Sequence, residues 1–272
     1  MAPTFKVACV QTTTPRDVAP SIKEFSALVR EARGAGADFI TLPETVNMLE
    51  PKGRPLREKI RFQDEDESLK AFQSLAQETE AWLLAGSIVL RISEDKAANR
   101  SFLISPDGDI KAQYDKIHMF DVDLGNGESY KESKLYEPGD KLVLADLPWG
   151  KLGMTICYDV RFPYLYRALG HAGADFISVP AAFTQPTGKA HWHILLRARA
   201  IENSCFIFAP AQTGEHAEGR KTYGHSLIVD PWGEVLADGG EDTGFIVADI
   251  DVTRIAKARS KVPSLTHDRA FT

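Results

Sequence analysis

Apolar positions in the first forty residues follow two rhythms. Residues 5–10, FKVACV, form a short apolar and β-branched run that predicts a strand. Residues 21–33 then place Ile22, Phe25, Leu28, Val29 and Ala32 at helical spacing. Ser21 with Glu24 three residues later reads as a capping box, and Gly34 and Gly36 stop the helix. A buried strand is expected at 38–42, closed by Pro43. A second helix is expected at about 68–82, with Leu69, Phe72, Leu75 and Ala76 on one face and the acidic run 64–67 at its positive end. A strand at 83–90 follows, and SFLISPDGDIKAQ (101–113) reads as two strands joined by a Pro106–Asp107–Gly108 turn. The second half repeats the order: strand 152–157, helix 162–171, strand 175–179, helix 190–203, strand 205–209, a hairpin at 226–238, and a last strand near 245–250.

Two phrases are written twice in the same order. AGADFITLPE (35–44) returns as AGADFISVPA (172–181), and SFLISPDGDIKAQ (101–113) returns as SLIVDPWGEVLAD (226–238). This predicts an α/β fold of two internally similar halves, packed sheet on sheet with helices outside, an α-β-β-α sandwich. Strands covered on both faces should be strongly apolar, as FISVP and CFIFAPA are. We expect one domain over 1–272, with the segment from about 252 to 272 able either to cross a partner as a dimer arm or to fold back.

Composition narrows the classes. The chain has 272 residues, a net charge of −6 and no basic block, which argues against nucleic acid or an anionic membrane as partner. There is no apolar run of about 18 residues and no signal-peptide pattern. Cys9, Cys157 and Cys205 are odd in number and far apart, which fits a reducing cytoplasm and excludes a Cys-x-x-Cys metal site.

Similar halves leave a cleft between equivalent strand ends, so chemistry is expected where the copies differ. Glu44 stands where the second copy has Ala181. Lys116 follows the first hairpin, in YDKIHMF. Cys157 begins a strand-to-helix elbow in CYDVRFP, with Asp159 as a helix cap and Pro163 in the first helical turn. There a thiol would meet unpaired N–H groups and a helix dipole, both of which favour thiolate. Each residue also has an ordinary reading: a small buried hydrophobe, a solvated ammonium, a surface carboxylate.

With these residues in place, the sequence resembles the nitrilase superfamily of carbon–nitrogen hydrolases along nearly its whole length. The motifs are LPE (42–44), YDKIHMFD (114–121), GMTICYDVRFP (153–163) and YGHSLIVDPWGE (223–234). The resemblance implies the sandwich fold, a Glu44–Lys116–Cys157 triad, and a further acidic residue at Glu132, with Glu128 close by. HWHILLRARAIEN (191–203) and AQTGEHAEGRKTYGHSLIVDPWG (211–233) resemble the deaminated-glutathione amidases, with the ω-amidases as a sister group.

The mechanism expected of such a set is attack by Cys157 on an amide, Glu44 as base and then acid, and Lys116 with the Tyr158 N–H as oxyanion donors. A thioester forms, then acid and ammonia are released, with no metal or organic cofactor. Phe120, Phe183 and Thr184 are expected to line the pocket, and Arg161 either to pair with a substrate carboxylate or to pin the elbow through a salt bridge. The partners implied are a small-molecule amide and further copies of the chain, as a homodimer or higher homo-oligomer. Three rivals remain: a Cys–His hydrolase using His191 or His193, a metal hydrolase using the same histidines, and an inactive interaction scaffold.

Overall fold

A computed structural model describes residues 4–125 and 128–270. The first half runs β1 (Thr4–Gln11), α1 (Val18–Gly34), β2 (Phe39–Thr41), α2 (Gly53–Lys59), α3 (Glu67–Thr79), β3 (Trp82–Leu84), β4 (Ile88–Arg91), β5 (Ala97–Ile104) and β6 (Ile110–Asp115). A small hairpin, β7 (Asp121–Gly125) and β8 (Glu128–Lys131), leads into the second half. That half runs β9 (Leu144–Leu147), β10 (Gly150–Met154), α4 (Pro163–His171), β11 (Phe176–Ser178), α5 (Gln185–Asn203) and β12 (Phe206–Ala209). It continues through β13 (Thr213–Glu215), β14 (Lys221–Tyr223), β15 (Leu227–Val229), β16 (Val235–Asp238), β17 (Gly244–Asp251) and α6 (Thr253–Lys261).

Two mixed sheets carry the fold. One is ordered β17-β1-β2-β3-β5-β4 with β6 beside β5, and the other β16-β15-β12-β11-β10-β9. In each, three central strands are parallel: β1, β2 and β3, and β10, β11 and β12. Alternate residues of β1 face opposite cores. Phe5, Val7 and Cys9 join Met154, Phe176 and Phe208 between the sheets. Ala8 and Val10 join Phe25 and Val29 of α1 and Phe72 and Leu75 of α3 on the outer face, where the Phe25 and Phe72 rings stack at 4.2 Å. The sandwich is therefore the expected one.

β17 was anticipated as a strand, but not its place. It leaves the second half and pairs antiparallel with β1, from Thr4↔Asp251 to Gln11↔Gly244, stitching the halves together. The C-terminal segment then lies against its own second half: Arg259 donates to the Ala174 carbonyl and Arg167 pairs with Asp268.

Several boundaries differ from the sequence reading for identifiable reasons. α1 begins at Val18 because Pro20 sits in the first turn, where its missing N–H is not needed. Ser21 Oγ bonds the Asp17 carbonyl and Glu24 accepts from Thr13 N, so the expected capping box is absent. α3 stops at Thr79, where Glu80 turns left-handed, and Trp82 already belongs to β3. The expected strand 83–90 is broken at Gly86. A Cβ there would lie 1.9 Å from the Leu42 carbonyl oxygen, so two chain segments touch at this point. α5 starts before 190 because Gly188 is no helix breaker; a Cβ there would lie 2.3 Å from Tyr223 Cβ. Among the described residues no helix is long and apolar enough to cross a membrane.

Candidate active site

The C-terminal ends of β2, β6 and β10 bring Glu44, Lys116 and Cys157 together from sequence separations of 41 to 113 residues. Glu44 follows β2 and is 3% exposed. Its Oε1 accepts from Asn99 Nδ2 and Lys116 Nζ, both at 2.9 Å, and its Oε2 accepts from Ala182 N at 2.8 Å. The next residue, Thr45, has a left-handed backbone (φ +52°), fixed where Ser87 Oγ accepts its N–H. Gly86 presses on the peptide just before Glu44, so the broken strand holds the carboxylate in place.

Lys116 follows β6 and is 1% exposed. It is not free: Nζ donates to Glu44 Oε1 and, at 2.8 Å, to Glu132 Oε2. Burial alone would lower its pKa, but the charges of Glu132 and Glu44 hold it well above its usual value. An ammonium has three N–H donors, so one remains. Glu132 Oε2 also accepts from Phe120 N. Glu128 instead accepts from Tyr130 OH, so the carboxylate on Lys116 is that of Glu132.

Cys157 opens a single 3₁₀ turn, Cys157–Arg161, in a left-handed conformation (φ +46°). Such a backbone costs about 1–2 kcal/mol for a residue with a Cβ. Asp159 holds it. Its Oδ2 accepts from Ile156 N and Tyr114 OH, and its Oδ1 from His118 N and the His118 ring. Asp159 is thus a brace for the elbow rather than a cap on α4, which begins with Pro163 at its first turn.

The thiol is not the preformed thiolate expected from the sequence. Burial first, and then the charge of Glu44, push its pKa well above the usual value, and Lys116 offsets only part of this. The N–H of Cys157 is already given to the Pro180 carbonyl. Glu44 is the complement. Burial raises its pKa, but the Lys116 charge and the hydrogen bonds from Lys116, Cys157 and Ala182 hold it below the carboxylate range. A protonated thiol therefore rests on an ionised carboxylate. Among the described residues the Tyr158 N–H, second in the turn, meets no backbone carbonyl outside it and, so near the start of the turn, has none within it, so it can act as a donor.

Phe120, Phe183 and Thr184, the candidates for the pocket wall, line the cavity over Cys157, and so does Tyr158. Arg161 does not: its guanidinium stacks over the Phe183 and Tyr158 rings and meets His191 Nδ1 at 3.3 Å. Besides Lys116, the cation in the lining is Arg220, which the sequence reading does not name; nor does it name Thr187 of the lining or Asn99, which donates to Glu44. Asn99 had a faint signal, a polar residue inside an apolar strand. Arg220 lies in an aperiodic loop and had none. No histidine lines the cavity, which leaves the Cys–His rival without a base. His193 Nε2, His225 Nδ1 and the Asp238 carboxylate lie within 4.8 Å of one another and could hold a metal ion, but none of the three lines the cavity.

The family pattern of carbon-nitrogen hydrolases matches residues 6–260. The chain belongs to the carbon-nitrogen hydrolase family. A deaminated glutathione amidase of Synechocystis is 42% identical over 267 residues, covering 97% of each chain. Omega-amidase NIT2 of Mus musculus is 34% identical over 269 residues, covering 98% of this chain and 96% of the relative. The crystal structure of Saccharomyces cerevisiae Nit3, of the nitrilase superfamily, superposes with a TM-score of 0.88 at 29% identity, over 98% of this chain and 97% of that one. This carbon-nitrogen hydrolase thus has amidases as relatives along nearly its whole length, and its sandwich matches the fold of Nit3.

Proposed function

We propose that the protein is a cysteine-dependent amidase acting on a small carboxylate-bearing amide of the deaminated-glutathione type. The observation that carries this is the pairing of the Cys157 thiol with a Glu44 carboxylate kept ionised by Lys116. Cys157 Sγ attacks the amide carbon as its proton passes to Glu44. The oxyanion is received by the third N–H of Lys116 Nζ and by the Tyr158 N–H, whose loss would each cost about 3–4 kcal/mol in the barrier. Glu44 returns the proton to the leaving nitrogen, the C–N bond breaks and a thioester remains. Glu44 then takes a proton from water, the hydroxide attacks the thioester carbon, the C–S bond breaks, Glu44 returns its proton to the departing Cys157 thiolate, and the acid leaves. Glu132, whose Oε2 accepts from Lys116 Nζ, positions Lys116. The leaving group is ammonia from a primary amide and a larger amine from a secondary one.

The likeness to the mouse omega-amidase supports a second reading, an ω-amide of a 2-oxo dicarboxylic acid, with the same chemistry. The three free, buried cysteines suit a reducing cytoplasm. Exposed Ile194 and Ile201 on α5, with Trp232, favour a homo-oligomer. Hydrolysis of deaminated glutathione, 2-oxoglutaramate, simple ω-amides, nitriles and N-carbamoyl amino acids, followed by both acid and amine release, tests the activity. The protein should turn over the first two, and Cys157→Ala should abolish turnover with an unchanged melting temperature. Hydrolysis surviving in Cys157→Ala removes the nucleophile, and turnover of nitriles alone removes the amidase reading.

A further inference from the structure

The cavity over Cys157 encloses about 10 Å³ of open space, roughly one water molecule. Beside it lies a vestibule of about 530 Å³, bounded by Tyr130, Gln185, Glu218 and Lys221 among others. Arg220 alone lines both spaces. A substrate that brings its amide to Sγ must therefore leave its remainder in the vestibule and pass Arg220 on the way.

We propose that Arg220 is the substrate's carboxylate-binding residue, clamping the anionic end of a short amide at the neck between catalytic cavity and vestibule. This rests on the amidase reading and adds to it the residue that selects the substrate's charge. Lys116, the other cation of the lining, is engaged by Glu44 and Glu132. Arg161, the sequence candidate, lies outside the lining. Among the described residues no carboxylate stands within 4.0 Å of the Arg220 guanidinium. The nearby Glu218 turns to Arg16 and Lys52, and Glu128 takes the Tyr130 hydroxyl.

The guanidinium is nonetheless held still. It stacks over the Tyr130 ring at 5.4 Å, and one Nη2–H donates to the Ala182 carbonyl at 3.1 Å. Its Nε is buried with no hydrogen-bond partner. A stacked guanidinium whose Nε–H is buried without an acceptor is matched by a carboxylate, which can take Nε–H and a neighbouring Nη–H together. Ala182 links the two ends of the arrangement. Its carbonyl fixes Arg220 while its N–H fixes Glu44 Oε2, so the charge that would seat the substrate and the base that would act on it share one peptide segment.

The test compares a 2-oxo-acid amide bearing a free carboxylate with its methyl ester, using wild type, Arg220→Gln and Arg220→Lys. Wild type should prefer the free acid. Arg220→Gln should lose about 10- to 150-fold in kcat/KM on the acid, mostly through KM, and less than about 3-fold on the ester. Arg220→Lys should recover part of the loss. In parallel, binding of the free acid to Cys157→Ala should weaken by the same factor in Cys157→Ala/Arg220→Gln, read by calorimetry. Equal losses on acid and ester, or an unchanged affinity for the acid, overturn the assignment. If wild type hydrolyses neither compound the amidase reading falls, and the calorimetric comparison still decides whether Arg220 holds the carboxylate.

Discussion

Glu44→Gln keeps the size and shape of the base and removes its charge. Every partner of the carboxylate is a donor: Asn99 Nδ2, Lys116 Nζ, Ala182 N and the Cys157 thiol. A glutamine has one acceptor oxygen to offer. Placed toward Asn99 and Lys116, it leaves its NH₂ facing the Ala182 N–H, so at least that bond is lost, at a cost of about 1–3 kcal/mol. Lys116 keeps Glu132, so the fold should survive with a melting temperature lowered by a few degrees. Activity should suffer far more. General-base catalysis contributes about 10²- to 10⁴-fold, or about 3–5 kcal/mol of barrier, and the thiol has no other proton acceptor at hand. A second signature follows from the thiol. With Glu44 in place, wild-type kcat/KM should be flat from about pH 6 to 8, because the base is already ionised there. In Glu44→Gln the residual rate should climb with pH as free thiolate appears, and alkylation of Cys157 by iodoacetamide should climb in parallel. The measurements are acid release and alkylation rate across pH. A variant within about 10-fold of wild type at pH 7, or with the wild-type pH profile, refutes the assignment of Glu44 as base.

Two further perturbations probe what holds the site. Gly86→Ala puts a Cβ 1.9 Å from the Leu42 carbonyl oxygen and 2.1 Å from that of Pro43, so the peptide carrying Glu44 must shift; kcat should fall at least about 10-fold, with stability down by about 1–3 kcal/mol, and a variant with wild-type kcat removes Gly86 from the support of the site. His216 is held neutral, its pKa lowered to about 4 chiefly by burial, with Nδ1–H donating to the Thr14 carbonyl and Nε2 accepting from Thr222 Oγ1. Its folded pKa lies below the unfolded value of 6.5, so its contribution is full above about pH 6.5 and is lost as pH falls toward 4. Urea unfolding at pH 7.5 and 4.5 should show wild type losing up to about 3 kcal/mol more than His216→Gln, and an equal loss in both overturns this reading.

Much of this was legible in the residues. Periodicity located the strands and helices of both halves because each buries one face or both. The doubled phrases gave the pairing of the halves, and their differences gave Glu44, Lys116 and Cys157. What stayed hidden was non-periodic. The β7–β8 and β13–β14 hairpins and α2 bury little, so their sequences carry no apolar rhythm. The first turn of α5 was missed because what crowds Gly188 there, the Tyr223 ring, is 35 residues away. The thiol was misjudged for a related reason. Chain position gives its place at an elbow, but its protonation depends on a carboxylate 113 residues earlier and on how deeply both are buried.

The doubled phrase explains why the site is where it is. Leu42–Pro43–Glu44 and Val179–Pro180–Ala181 leave their sheets at equivalent strand ends, and each is held there by its neighbour: Leu42 N donates to Leu84 O, and Val179 N to Phe208 O. The sandwich sets these ends face to face. The first copy then contributes a side chain and the second contributes backbone. Glu44 Oε2 takes its hydrogen bond from Ala182 N, and the Pro180 carbonyl takes the N–H of Cys157. A glutamate at 181 as well would bury a second carboxylate in the apolar core, where Ala181 lies fully covered and Lys116 is already engaged by Glu44 and Glu132. The two carboxylates that line the cavity, Glu44 and Glu132, are both on Lys116, so Glu44 stays ionised and the proton of Cys157 has somewhere to go.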